Sequence, residues 1–417
     1  MNGIVDRPGG CCFYQPESNS AGDAMRKILS RASLVLMLII TLAIPRLTQA
    51  QSGLPQECDQ SSLPSRDLKY PANQLILICR PPNWNGDLIV YAHGYVPPQA
   101  PLVLPLQELI LPDETFVPEV FLTQGFAFAT SSYHKNGVAT EQASQDLLDL
   151  VNYFESLVPV GSLKRVFIIG ASEGGLVAIQ LLEQHPNEFD AGLALCAPAG
   201  GASKQIKYAE DFRVVFDYFF PDVFPFGAFD VPSDAFTQWE SIYVPRITAA
   251  ITRDRRATSQ LFSVTRAAVD PTDLKTAIET AIDVLFYSIW GTPDLIATTG
   301  GIPYDNRFTI YLGLTNNLAL NLQVERIRGD RQAEGYARTF YQTTGDLDRP
   351  LVTLHNILDP IVPFEHELIY RALVAREHNS RFLTVLPVVG YGHCDFTTEQ
   401  ILGAFALMVQ QANVQTH

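Results

Sequence analysis

At 417 residues, 47% hydrophobic and 18% charged, the chain carries enough apolar material for a large core. Its formal net charge of −15 argues against nucleic acid, whose phosphates demand basic patches, and against adsorption to anionic membranes. The acidity is spread without runs of like charge, as on a solvated surface.

The first 50 residues read as a leader. Arg26, Lys27 and Arg31 precede an uncharged apolar run from Ala32 to Pro45. Thr48-Gln49-Ala50 then offers small residues at the −3 and −1 positions, the pattern of a secretory signal peptide cleaved near Ala50. The run is shorter than the ~20 residues of a membrane span, so no stable membrane anchor is expected; a retained signal anchor is the alternative. Residues 1–24 have no helical period and read as an upstream extension before a start at Met25, or as an unusually long leader. The expected location is extracellular or periplasmic. Cys11 and Cys12 fall in the segment to be lost, whereas Cys58, Cys79, Cys196 and Cys394 remain. That is an even number in an exported chain, where disulfides persist, and it allows three pairings. No Asn-x-Ser/Thr acceptor for N-glycosylation is present.

Residues 51–72 look loop-like. Gln74–Cys79 and Asp87–His93 are apolar runs separated by turn residues, the spacing of an early hairpin. Gly125–Tyr133 reads as a buried strand. Glu141–Leu157 has helical period, with Leu147, Leu148, Val151 and Phe154 on one face. A strand over Arg165–Gly170, a helix over Gly175–Gln184 and a strand over Ala191–Pro198 follow, the alternation of a mostly parallel sheet with crossover helices. From Ala199 to about Asp348 the rhythm gives way to helices, clearest over Thr272–Trp290. The aromatics Phe216, Tyr218, Phe219, Phe220, Phe224, Phe226 and Phe229 cluster there, as simple core or as the lining of a substrate pocket. Strand, helix, strand and helix resume from Pro350. The expected division is a leader (1–50), a core in two parts (51–198 and 349–417) and a helical cap inserted between them (199–348).

Chemistry concentrates at "GASEG". Ser172 lies between a strand and a helix, flanked by Gly170, Gly174 and Gly175, where small residues suit a crowded bend. A serine hydroxyl needs a base beside it, itself oriented by an acid. His393 sits in a glycine-bordered loop after the last strand, and Asp359 a few residues past the preceding one. Asp348 and Asp395 are weaker candidates for the acid, the first because it precedes its strand, the second because it is too near His393. The oxyanion of a tetrahedral intermediate needs N–H donors. Glu173 supplies one at the start of the helix. His93-Gly94 after an early strand would bring the Tyr95 N–H to the site, with Gly94 allowing close approach and His93 holding the loop.

These motifs resemble the α/β-hydrolase superfamily, in particular its secreted carboxylesterase and lipase-like members, over about residues 70–198 and 348–412. The resemblance implies an α/β fold: a mostly parallel sheet with helices on both faces and an inserted helical cap. It implies nucleophile, acid and base roles for Ser172, Asp359 and His393, and no cofactor or metal. In such a sheet Cys196 and Cys394 come together beside the site while Cys58 and Cys79 pair on the far side. Buried free thiols are the alternative for the second pair. A His-Glu-x-x-His motif, a phosphate-binding glycine loop and zinc-type cysteine spacing are all absent. The expected function is hydrolysis of a small-molecule or lipid-like ester through an acyl-serine. A serine peptidase or amidase on the same core is the alternative, and a non-catalytic binding protein a more distant one. Oligomeric state has no signature in the sequence.

Overall fold

The structure, a computed structural model, describes residues 54–415; the leader and its proposed cleavage point lie outside the described residues. Eight strands form one sheet in the order β1-β2-β4-β3-β5-β6-β7-β8. They are β1 (Cys58–Leu63), β2 (Gln74–Cys79), β3 (Asp87–Ala92), β4 (Ala127–Ser131), β5 (Arg165–Ala171), β6 (Ala191–Leu195), β7 (Leu351–Leu358) and β8 (Leu383–Tyr391). The strands from β4 to β8 pair in parallel; β2 is antiparallel to both β1 and β4.

Two expectations about the first strands fail. Residues 51–72 are not all loop, since Cys58–Leu63 forms an edge strand. Its sequence, CDQSSL, is polar and mostly exposed, so it lacks the apolar alternation that marks a half-buried strand. Nor do β2 and β3 form a hairpin: β4 inserts between them. Both are apolar runs, and such runs do not state which edge their partner takes.

The alternation of side chains across each strand builds two cores. Leu88 and Val90 of β3 and Val166 and Ile168 of β5 face one layer of helices. That layer contains α2 (Thr140–Ser156), α3 (Glu173–Gln184) and α11 (Glu365–Arg376). Ile89 and Tyr91 of β3 and Phe167 and Ile169 of β5 face the other, with α1 (Val117–Thr123) and α12 (Thr398–Gln415). Two-sided burial explains why these strands read as continuous apolar runs.

Between β6 and β7 the chain leaves the sheet. It forms α4 (Ala202–Phe219), α5 (Ala235–Gln238), α6 (Val244–Arg253), α7 (Arg255–Thr265), α8 (Leu274–Thr299), α9 (Asn317–Gln323) and α10 (Arg331–Phe340). Whereas α10 packs with Leu295 and Tyr341 in a smaller cluster, the apolar faces of α4 to α9 form a core of their own around Phe212, Phe216, Phe224, Trp239 and Ile289. The aromatic cluster singled out in the sequence belongs to this core: Phe216, Phe220 and Phe224 are buried, and Tyr218, Phe219, Phe226 and Phe229 pack against them. Buried Arg213 lies over the Phe224 and Phe226 rings and pairs with Asp217 at 2.8 Å.

Disulfides join Cys58 to Cys79 and Cys196 to Cys394. The first links directly paired residues of β1 and β2. The second fastens the end of β6 to the loop after β8. Among the described residues no helix is long and apolar enough to cross a membrane.

Candidate active site

Ser172 occupies the corner between β5 and α3 with φ 54° and ψ −121°, a backbone region that side chains rarely adopt. Its N–H donates to the Leu195 carbonyl at 2.9 Å, and its carbonyl accepts from Gly175 N–H at 3.0 Å. The flanking glycines are sterically required: a Cβ on Gly170 would overlap the Gly174 carbonyl, and one on Gly174 would overlap that of Ala92. The corner therefore closes only around hydrogen at these two positions, and the serine is driven out of the bend.

His393 follows β8 and spans the gap to both expected partners. Its Nε2 lies 2.9 Å from Ser172 Oγ and its Nδ1 lies 2.8 Å from Asp359 Oδ2. Asp359 is fully buried. Its Oδ1 accepts the Ile361 and Val362 N–H groups, each at 2.9 Å. Burial alone would raise its pKa, but the charges and hydrogen bonds of His393 and His355 hold the carboxyl below its ordinary value. Of the three candidate aspartates, Asp359 is the one hydrogen-bonded to the imidazole.

The loop after β3 lies against the corner. A Cβ on Gly94 would sit 3.4 Å from both the Ala171 carbonyl and Ser172 Cβ. Gly94 N–H donates to Glu108 Oε2 at 3.0 Å, and the Tyr91 hydroxyl donates to the same oxygen at 3.1 Å. Nothing in the sequence around Glu108 marks it for this anchoring role. His93 is buried and stacks on Tyr133 with ring centres 3.8 Å apart; its carbonyl accepts the Tyr133 hydroxyl at 3.1 Å. Burial pushes its pKa down. Glu173 begins α3, and its side chain turns from the serine to accept the Ala139 N–H at 2.8 Å and the Thr140 hydroxyl at 3.1 Å. Burial pushes that carboxyl up to about 7, against the pull of these donors and of Lys135.

One face of α8 borders the site, a feature the apolar period of that helix did not disclose. The Thr280 hydroxyl lies 2.9 Å from that of Tyr391, two residues before His393, and the Tyr391 hydroxyl donates to the Thr276 carbonyl at 3.1 Å. One turn on, Asp283 is pushed up to about 7 by burial and by the charges of Glu279 and Asp359. Tyr287 meets the Tyr95 ring edge-to-face at 5.4 Å, and the Asp294 carboxylate accepts the Val138 N–H at 2.7 Å. From α4, the Tyr208 hydroxyl donates to the Pro360 carbonyl at 2.6 Å, beside Asp359. Cys196, His393 and Cys394 are the one group of potential metal donors among the described residues, and both sulfurs are committed to the disulfide.

Residues 132–257 match the family model described as "Serine aminopeptidase, S33". No curated protein sequence matches the chain. Among solved structures it is similar to feruloyl esterase B from Aspergillus oryzae, at 12% identity and a TM-score of 0.45, covering 87% of this chain and 88% of that one. It is similar to Candida antarctica lipase A in its closed state at 12% identity and 0.45, covering 85% and 77%. It is also similar to the acylaminoacyl peptidase of Pyrococcus horikoshii, at 11% identity and 0.41, covering 87% of this chain but spanning only 41% of that one. The eight-stranded, mostly parallel sheet with helices on both faces is consistent with the α/β-hydrolase fold, and the match to the serine aminopeptidase model covers the segment that holds the serine corner.

Proposed function

We propose that this protein is a secreted serine hydrolase that cleaves carboxylic esters through an acyl-serine intermediate. The observation that carries the reading is the bridging position of His393, 2.9 Å from Ser172 Oγ and 2.8 Å from buried Asp359. The uncharged imidazole takes the Ser172 proton at Nε2 as Oγ attacks the acyl carbon, and returns it to the leaving alkoxide. Asp359 keeps Nδ1 protonated and balances the imidazolium that forms. The backbone N–H groups of Glu173 and Tyr95 receive the oxyanion, the first from the positive end of α3. A water that gives its proton to His393 then resolves the acyl-serine. Two disulfides, with no membrane-crossing helix among the described residues, support an exported protein.

The substrate is a small or lipid-like ester. Tyr95, Tyr287, Tyr391 and Tyr208 border the site, which favours an aromatic or acyl group there. A serine peptidase or amidase is the second reading, favoured by the description of the matching family. Purified protein should be assayed on p-nitrophenyl esters of increasing acyl length and on p-nitroanilides. Faster turnover of the anilides would reverse the choice between the two. A folded protein that neither hydrolyses any of them nor reacts with a fluorophosphonate probe would remove the catalytic reading altogether.

A further inference from the structure

Asp359 has a second histidine neighbour. His355 stands on β7, four residues earlier in the chain, and is fully buried. Its Nε2 is 2.8 Å from the Val362 carbonyl oxygen and 3.5 Å from Asp359 Oδ2, while its Nδ1 is 3.2 Å from Glu367 Oε1. A carbonyl oxygen only accepts, so Nε2 carries a proton. Nδ1 faces a carboxylate whose other oxygen already accepts the Thr353 hydroxyl at 2.8 Å. Both ring nitrogens thus meet acceptors, which suits the doubly protonated ring. Asp359 and Glu367 are also fully buried. Two such carboxylates without a cation between them would be costly to bury.

We propose that His355 is a permanent buried cation, held by Glu367, that positions Asp359 and sets the field in which His393 accepts the serine proton. The triad becomes the outer part of a five-member chain, Glu367–His355–Asp359–His393–Ser172. This rests on the triad reading given above. Burial alone would lower the His355 pKa, but hydrogen bonds and charges from Asp359 and Glu367 raise it to about 10. His366, on α11 beside Glu367, is pushed down to about 3 by burial and by the charge on His355. It stays neutral and accepts the Gly200 N–H at 3.1 Å. From the helices between β6 and β7, Asp283, Tyr208 and Tyr287 also face Asp359, as does Tyr391 of β8. His355 is therefore the cation that pairs with both carboxylates on the side of the acid remote from the serine.

The test is the pH profile of kcat/KM for p-nitrophenyl acetate in four proteins: wild type, His355→Gln, Glu367→Gln and the double variant. Removing the cation leaves two carboxylates near His393, which favours its imidazolium and moves the acid limb up by on the order of one pH unit. Removing Glu367's charge moves it down by a similar amount, and the double variant returns to within a few tenths of wild type. A role in packing alone would lower kcat in all three without opposite shifts, so an unmoved limb in folded single variants overturns the proposal. Should the single variants not fold, nitrogen-15 NMR of the wild-type imidazoles decides: His355 doubly protonated at pH 8 supports it, a neutral ring overturns it. Fluorophosphonate labelling and Ser172→Ala separate the two levels. Activity that survives Ser172→Ala removes the triad itself, whereas a labelled, active enzyme with an unmoved limb removes only the role of His355.

Discussion

Replacing Cys196 and Cys394 together by alanine tests how the base is held in place. The bond closes a loop of 198 residues, which in the chain-entropy estimate restrains the unfolded ensemble by about 5 kcal/mol. At the unfolding entropy usual for a domain of this length, that is a fall in Tm of about 7 °C. A second effect is local. Both cysteines sit in left-handed backbone, at φ 45° and 54°, which a side chain resists. Without the bond the backbone at residue 394 is free to relax, and it carries the adjacent imidazole with it. Misplacement on the ångström scale is enough to cost on the order of 10²-fold in rate, so kcat should drop by about 10- to 100-fold with little change in KM. Scanning calorimetry and hydrolysis of a p-nitrophenyl ester read the two effects separately. A Tm within about a degree of wild type together with full kcat would refute the reasoning, as would two titratable thiols in the folded wild-type protein.

Removing Cys58–Cys79, which closes a 21-residue loop on the edge strand, should cost about 3 kcal/mol and leave kcat unchanged. Ser172→Ala should remain folded, lose fluorophosphonate labelling, and lose about 10⁴–10⁶-fold in rate. Gly174→Ala should yield little soluble protein, because its methyl group would overlap the Ala92 carbonyl, whereas Gly335→Ala, with open space around the added carbon, should gain about 0.5–1 kcal/mol. Glu173 binds its proton more tightly folded than unfolded, so the stability it contributes is full below its ordinary carboxyl pKa and is lost as pH rises through about 7. Glu173→Gln should accordingly flatten the decline of Tm between pH 5 and pH 8; an identical slope in wild type and variant would dismiss that assignment.

The juxtaposition of Ser172, His393 and Asp359 was legible because each sits where the backbone announces it. Glycines must surround Ser172, a strand must end before Asp359, and a glycine-bordered loop must follow the last strand to present His393. The order of the strands was less legible. β2 and β3 are both buried apolar runs, and only long-range pairing decides that β4 lies between them. Edge strand β1 was invisible because its exposed, polar side chains follow no period. His355, Glu108 and Glu367 gave no signal either, since a buried ionic support is created by three segments meeting and none of them carries a motif alone.

Ser172 and His393 are 221 residues apart in the chain, and the imidazole is delivered by the strand at the edge of the sheet, beyond β7. Folding must therefore bring together parts of the candidate site that lie far apart in the chain, and contacts of such separation form slowly. On the proposed mechanism, a chain whose early strands, serine corner and α3 had assembled before β8 would display Ser172 with no base to withdraw its proton. Activity by that mechanism would await the pairing of β8 with β7, which the Cys196–Cys394 disulfide would help to hold. A molecule that hydrolyses by the proposed route would thus be one whose sheet has closed as far as β8.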